Sequence, residues 1–181
     1  MSDQLTLEHV RAAHARIRDS IVATPTLHSQ TLSKLTGANI YLKFENHQFT
    51  AAYKERGALN AILLLTEEQR SKGVIAASAG NHAQGLSYHG TRLGIPVTIV
   101  MPEGTPFVKA DGTRAHGATV VIKGADFSGS TEEAHRFRDE EGMVFISAFD
   151  DAGIVAGDDQ RTALALRRIQ QQGQQVLREI N

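Results

Sequence analysis

The stretch GVIAASAGNHAQGLSYHGTRLGIPVTIVM, residues 73–101, decides the fold of this chain. It opens with the apolar run Gly73-Val-Ile-Ala-Ala-Ser78 and closes with the apolar run Pro96-Val-Thr-Ile-Val-Met101. Short apolar runs bounded by glycine or proline are typical of buried strands. The segment between them, from Asn81 to Leu93, is long enough for a helix. The stretch therefore predicts a strand–helix–strand unit with parallel strands.

The same alternation continues towards the C-terminus. It gives, in order, a helix over 106–116, a strand over 118–122, a helix over 131–141 and a strand over 143–146. Glycine follows three of the predicted helices, at positions where a left-handed cap is favoured (Gly94, Gly117, Gly142). We therefore predict an α/β fold in which helices flank a small four-stranded parallel sheet with right-handed crossovers.

The flanking residues predict fewer regular elements. An N-terminal helix capped by Thr6 is indicated by apolar residues at helical spacing (Leu7, Val10, Ala13, Ile17, Ile21). A strand over 38–44 and a helix over 53–65 follow, and Thr66 and Gln69 have capping-box spacing. Residues 157–181 are polar and rich in glutamine, so we expect them to form at most a weak helix and to be the least packed segment.

Composition excludes several classes of function. The formal net charge is −1, which gives no electrostatic footprint for nucleic acid or an anionic membrane. The chain has no cysteine, so disulfides and thiolate chemistry are excluded, and its eight histidines lack metal-ligand spacing. No secretory signal and no long apolar run are found, so we expect a cytoplasmic protein without a metal or a membrane span.

Lys54 is the first candidate for chemistry. It lies at the predicted start of a helix, after Thr50-Ala-Ala-Tyr53, and could be partly buried there. Burial favours the neutral amine, which can condense with an aldehyde to form a Schiff base. The plainer alternative is a solvated lysine on a charged patch with Glu55 and Arg56.

The second candidate is the turn Ser78-Ala-Gly-Asn-His82, which follows a predicted strand and opens a helix. Small residues let a ligand approach the backbone, and the amides of a helix N-terminus favour an anion. In open α/β sheets, ligands bind at the carboxyl ends of the strands, which is where this turn lies. The alternative is an ordinary turn in which Asn81 caps the helix.

Taken together, these segments resemble a known family. FENHQFTAAYKERGALN, residues 44–60, is similar to the cofactor-lysine motif of the tryptophan-synthase-β-like enzymes, which depend on pyridoxal phosphate. AASAGNHAQG, residues 76–85, is similar to their asparagine loop. Threonine/serine dehydratases carry similar residues at three further places (Pro102-Glu-Gly-Thr-Pro106, Lys109, His116-Gly-Ala118). The resemblance covers about residues 5–157.

The resemblance implies roles for particular residues. Lys54 matches the lysine that bonds to pyridoxal 5'-phosphate and then moves the α-proton, and Tyr53 takes the aromatic place near the cofactor ring. Asn81 matches the asparagine that bonds the cofactor 3-hydroxyl. The loop that matches the substrate-carboxylate grip comprises Ser78, Ala79, Gly80, Asn81 and His82. Racemase relatives carry serine where this chain has Ala79, so the implied reaction is β-elimination from L-threonine or L-serine, giving a 2-oxo acid and ammonia.

The resemblance also implies a division into domains. Residues 1–53 correspond to a helix and strand of a larger, incomplete α/β domain, and residues 54–150 correspond to the small α/β domain. Residues 151–181 form a divergent C-terminal segment. We expect a truncated fold-type II enzyme that lacks the glycine loop for the cofactor phosphate. Weak cofactor binding and slow or absent turnover follow from this expectation.

The chain departs from the family pattern at several positions. Ala51-Ala52 replaces Gly-Ser before the aromatic–lysine pair, and alanine is disfavoured at positive φ. Asp111-Gly112 lies within a predicted helix, and the family's Ala-Gly-Gln-Gly-Thr becomes Ala156-Gly-Asp-Asp-Gln-Arg-Thr162. Two alternatives to an ammonia-lyase therefore stay open: an inactive remnant or interaction module, and a small-anion-binding protein. Expected partners are a small amino-acid substrate and either a second copy of the chain or a chain that supplies the missing half.

Overall fold

The computed structural model describes residues 5–158. Its strands are β1 (Thr26–His28), β2 (Tyr41–Lys43), β3 (Val74–Ala77), β4 (Val97–Met101), β5 (Thr119–Ile122) and β6 (Val144–Phe145). Its helices are α1 (Leu7–Ile17), α2 (Gln30–Thr36), α3 (Lys54–Leu63), α4 (Glu67–Lys72), α5 (Asn81–Arg92), α6 (Phe107–Ala115), α7 (Phe127–Glu141) and α8 (Ala152–Asp158). The segment 159–181 lies outside the described residues, and so does most of the predicted weak helix.

The central sheet has the strand order β5-β4-β3-β6, and every pair of neighbours is parallel. The predicted four-stranded parallel sheet is therefore confirmed. The chain moves outwards from β3 through β4 to β5 and then returns to place β6 on the other side of β3. The loops that leave β3 and β6 therefore lie side by side at the carboxyl ends of neighbouring parallel strands, where open α/β sheets bind ligands.

The two faces of the sheet are buried under different helices. On one face, Val74 and Ala76 pack in a cluster with Ile62 of α3 and Leu86 of α5. On the other, Ile75 and Ala77 pack with Ala134 of α7. Successive side chains of a strand point to opposite faces, so β3 contributes to both cores and has no polar residue.

Local capping explains where most elements begin and end. Thr6 caps α1 as predicted and also forms a capping box with His9, and Thr66 forms the predicted capping box with Gln69. The three glycines expected as left-handed caps all have positive φ, at 70°, 91° and 68° (Gly94, Gly117, Gly142). The helix predicted over 131–141 begins earlier, at Phe127, because the Asp126 side chain accepts a hydrogen bond from the Gly129 amide.

The N-terminal part differs most from expectation. The strand predicted over 38–44 is shortened to β2, which pairs antiparallel with the unpredicted β1. Helix α2 was also not predicted, although Ser29 caps its start and Gly37, at φ 71°, ends it. β1 and β2 have only three residues each, too few to show a periodicity in the sequence.

Helix α8 packs closely on α3. A Cβ on Gly57 would lie 2.6 Å from the Ile154 carbonyl oxygen, and one on Gly157 would lie 2.6 Å from the Arg56 carbonyl oxygen. The two glycines therefore let the helix backbones approach. Gly157 and Asp158, which we expected to be among the least packed residues, are buried. That expectation is wrong for these two residues.

Candidate active site

A cavity of about 260 Å³ lies at the carboxyl ends of β3 and β6. Its lining contains all the predicted site residues together with four others: Tyr53, Lys54, Ala77, Ser78, Ala79, Gly80, Asn81, His82, Phe127, Ala148 and Phe149. The sequence predicted a cleft between the small domain and the N-terminal fragment. Among the described residues, however, none before Tyr53 lines the cavity, and Ala148 and Phe149 of the loop after β6 line it instead.

The loop 78–82 joins β3 directly to α5. Gly80 occupies the N-cap position without a side-chain hydrogen bond, and Asn81 is the first residue of the helix. The alternative in which Asn81 caps the helix is therefore wrong. The Asn81 side chain is exposed, and a Cβ built on Gly80 meets nothing within 4 Å, so this edge of the cavity is open. The first amides of a twelve-residue helix favour an anion at such a place.

His82 anchors this loop to the neighbouring strand. Its Nε2 lies 3.1 Å from the carbonyl oxygen of Ile146, just after β6. A carbonyl oxygen only accepts, so Nε2 carries the proton and Nδ1 is left as an acceptor. Burial of the ring lowers the pKa of His82 to about 4, against the opposing effect of the Ile146 carbonyl. At neutral pH the ring is uncharged, and Nδ1 is buried without a hydrogen-bond partner in the described part of the chain.

Lys54 begins α3 and points towards the loop after β6. Its Nζ donates to the Ala148 carbonyl oxygen and to Asp158 Oδ2, each at 2.9 Å. The same atom lies 5.3 Å from the ring centroid of Tyr53 and 5.7 Å from that of Phe149. Only 15% of the Lys54 side chain is exposed, so this amine is not a solvated surface group.

Glu55 and Arg56 do not form the exposed charged patch of the plainer alternative, because both are buried. Glu55 accepts a hydrogen bond from the Thr50 amide, and its Oε2 lies 3.4 Å from His89 Nε2. These contacts fix the turn that precedes Lys54 and join it to α5.

Arg56 pairs with Glu45 in the loop that follows β2. Its Nε and Nη2 donate to the two carboxylate oxygens at 2.7 and 2.9 Å. Burial alone would raise the pKa of Glu45. Hydrogen bonds from Arg56 and Thr24 outweigh that effect and lower the pKa to about 2. Glu45 is therefore charged in the folded chain at neutral pH.

The turn before Lys54 contains strained backbone. Ala51 has φ 55°, and it is the one residue other than glycine with positive φ in the described part of the chain. The sequence indicated this position as a departure, because the family motif has glycine there. Alanine adopts this conformation at a cost of about 1 kcal/mol.

Sequence reasoning missed four residues at the site: Phe127, Ala148, Phe149 and Asp158. Phe149 and Ala148 follow β6, and Phe127 follows β5, so the rule that ligands bind at the carboxyl ends of parallel strands could have found them. Asp158 lies in the stretch that departs from the family's Ala-Gly-Gln-Gly-Thr, but nothing in the sequence placed it beside Lys54, which is 104 residues away. Within residues 5–158 no group of three potential metal ligands occurs, and no helix is long and apolar enough to cross a membrane.

Residues 17–178 match the family described as pyridoxal-phosphate dependent enzyme. The chain is 44% identical to the L-threonine ammonia-lyase of Thermotoga maritima over 153 residues. This alignment covers 84% of this chain and 38% of that protein. Threonine deaminase isoform 2 from Solanum lycopersicum, in its processed form, has a TM-score of 0.79 at 37% identity, over 84% of this chain and 42% of that one. Serine racemase from Dictyostelium discoideum gives the same TM-score and identity, over 84% of this chain and 50% of that one. The chain thus spans less than half the length of the curated relatives it matches, 38% and 44% for two of them.

Proposed function

This chain belongs to the family of pyridoxal-phosphate dependent enzymes, and we propose that it carries the lysine and the substrate loop of a threonine/serine ammonia-lyase. The observation that carries the proposal is that a part-buried lysine amine and the loop 78–82 line the same cavity. The reaction would convert L-threonine to 2-oxobutanoate and ammonia, or L-serine to pyruvate and ammonia. The names of the relatives support threonine as the substrate.

The residues of the cavity fit an aromatic aldehyde that carries polar substituents. Lys54 offers the amine, and the rings of Tyr53 and Phe149 lie beside it. The small residues Ala79 and Gly80 also line the cavity and leave room for a flat ring. His82 adds a buried acceptor without a partner among the described residues. When bound, pyridoxal phosphate supplies an aldehyde and a ring that accepts the electron pair of the substrate α-carbon.

Each side chain then has a defined task. Lys54 holds the cofactor covalently and afterwards, as a free amine, accepts the α-proton of the substrate. The backbone amides at the start of α5 orient the substrate carboxylate. Asn81, whose side chain neither caps the helix nor bonds to another described residue, donates to the cofactor hydroxyl.

Ala79 supports elimination over racemisation. Racemisation needs a second group that returns a proton from the opposite face, and a methyl side chain cannot do so. Because the chain is also similar to a serine racemase, racemisation of L-serine should be measured alongside elimination. We expect any turnover of L-serine to yield pyruvate without D-serine.

The test is a labelling experiment on the purified chain with pyridoxal phosphate and borohydride, followed by peptide mapping. We expect Lys54 to carry most of the label, and Lys54→Arg to remove it. Asn81→Ala should lower labelling about fivefold, the equivalent of one hydrogen bond, whereas Asn39→Ala at another exposed position should not. Label spread evenly over the lysines, or unchanged in Asn81→Ala, would contradict the proposal.

A further inference from the structure

The contact between Lys54 and Asp158 holds the amine in place before any ligand arrives. Asp158 Oδ2 lies 2.9 Å from Lys54 Nζ, and Oδ1 accepts a hydrogen bond from the Gly57 amide at 3.2 Å. The two side chains are 15% and 9% exposed. Asp158 is the last described residue of α8, whose close packing on α3 sets the position of its carboxylate.

Both charge and direction slow the reaction of the paired amine with an aldehyde. A carboxylate in contact with an amine favours the ammonium form, and more so where water is partly excluded. An ammonium ion has no lone pair with which to attack an aldehyde. Two donated bonds, to Asp158 and to the Ala148 carbonyl oxygen, also aim Nζ at protein acceptors.

We propose that Asp158 is a positioning residue that restrains Lys54, and that this ion pair must open before the amine can bond to an aldehyde. The proposal rests on the function proposed above. In the step that follows, the ammonium ion releases one proton to water, and the nitrogen lone pair forms a bond to the aldehyde carbon. The aldehyde oxygen then leaves as water with the two remaining nitrogen protons, which creates a carbon–nitrogen double bond.

Other charged groups near Lys54 do not compete for this role. His82 is uncharged at neutral pH, and Asp151 acts on that ring from the start of α8. Glu55, next to Lys54 in α3, is turned towards the Thr50 amide and His89. Tyr53 meets the amine with its ring face. Among the described residues, Asp158 is therefore the carboxylate that contacts the amine.

The experiment measures the rate of borohydride-trapped labelling of Lys54 by pyridoxal phosphate, between pH 6 and 9, in the full chain. Asp158→Asn keeps an acceptor for Gly57 but removes the charge. We expect it to label about tenfold faster at pH 7.5, because a carboxylate no longer holds the amine. Asp158→Glu, which keeps the negative charge, should be labelled at a rate within about twofold of that of the native chain. The matched control Asp111→Asn removes an exposed carboxylate from α6 and should change nothing.

The outcomes separate the two proposals. Selective labelling of Lys54 at equal rates in the native chain and Asp158→Asn would overturn the restraining role and leave the proposed function intact. Unselective labelling in every variant would overturn the proposed function itself. Circular dichroism checks that each variant is folded, and Asp158→Ser is a second neutral variant should the asparagine variant fail to fold. Asp158→Ser should also label faster than the native chain, and an unchanged rate would contradict the proposal.

Discussion

The two sides of the cavity are positioned by different forces. On one side, the loop 78–82 is set by β3 and α5, which are buried by apolar contacts on both faces of the sheet. On the other side, Lys54 is set by buried polar contacts: the ion pairs of Glu45 with Arg56 and of Asp158 with Lys54 itself, and the contact of Glu55 with His89.

The difference shows how each side would respond to change. Apolar packing is distributed over many contacts, so a single substitution matters there only when it alters volume. A buried ion pair concentrates its effect in two side chains, and the loss of one leaves the other charged and desolvated. We therefore expect the largest single effects on the lysine side.

Removing the Glu45 carboxylate should produce the largest loss of stability. Glu45→Gln leaves Arg56 buried without its counter-ion, so the free energy of unfolding at pH 7 should fall by about 3 kcal/mol. The pKa of Glu45 is lowered from 4.5 to about 2, so its contribution is complete above about pH 4.5 and is lost as the pH falls through about 2. The difference in the free energy of unfolding between the native chain and Glu45→Gln should therefore narrow as the pH falls from about 4.5 to about 2.

Urea unfolding between pH 2 and 7 measures this difference. The control is Asp139→Asn, which removes a carboxylate from the exposed pair with Arg138 and should leave stability unchanged. Equal stability of the native chain and Glu45→Gln at pH 7 would show that the lysine side does not depend on this ion pair.

The loop side should be sensitive to volume, and Gly90 in α5 tests this. A Cβ at this position would lie 2.2 Å from Val97 Cγ2, inside the packed core. Gly90→Ala should therefore lower the free energy of unfolding by about 2 kcal/mol, even though alanine is the better helix former. Thermal and urea unfolding measure the effect. A stabilised variant would mean that β4 moves away from α5 at little cost.

The two sides also differ in how far the sequence predicts them. The loop was predicted because an apolar run, small residues and a helix follow one another locally, and the family resemblance implied the role of Asn81. The partners of Arg56 and Lys54 lie 11 and 104 residues away, and no pattern of local spacing indicates them. The strand order was also beyond prediction, since a right-handed crossover can place β6 at either edge of the sheet.

A matched substitution separates helix propensity from packing. Gly112 lies in α6, as the sequence predicted, and a Cβ there would meet nothing within 4 Å. Gly112→Ala should therefore raise the free energy of unfolding by about 0.5–1 kcal/mol. Replacing glycine by alanine should thus lower the free energy of unfolding in α5 and raise it in α6. A loss of stability in Gly112→Ala would show that propensity is not the deciding factor there.

The smallest expected effect concerns Ala51, in the turn that leads to Lys54. Its φ of 55° costs alanine about 1 kcal/mol relative to glycine. Glycine also gives the unfolded chain more conformational freedom, which offsets roughly half of the stability gained by relieving this strain. Ala51 is exposed, so its methyl group adds little packing. Ala51→Gly should therefore raise the free energy of unfolding by about 0.5 kcal/mol, measured by urea unfolding. The control Ala52→Gly removes a buried methyl group at ordinary φ and should lower stability.

Because the Thr50–Glu55 hydrogen bond still fixes the turn, labelling of Lys54 should keep its native rate in Ala51→Gly. A slower rate would mean that the strained alanine itself positions the amine.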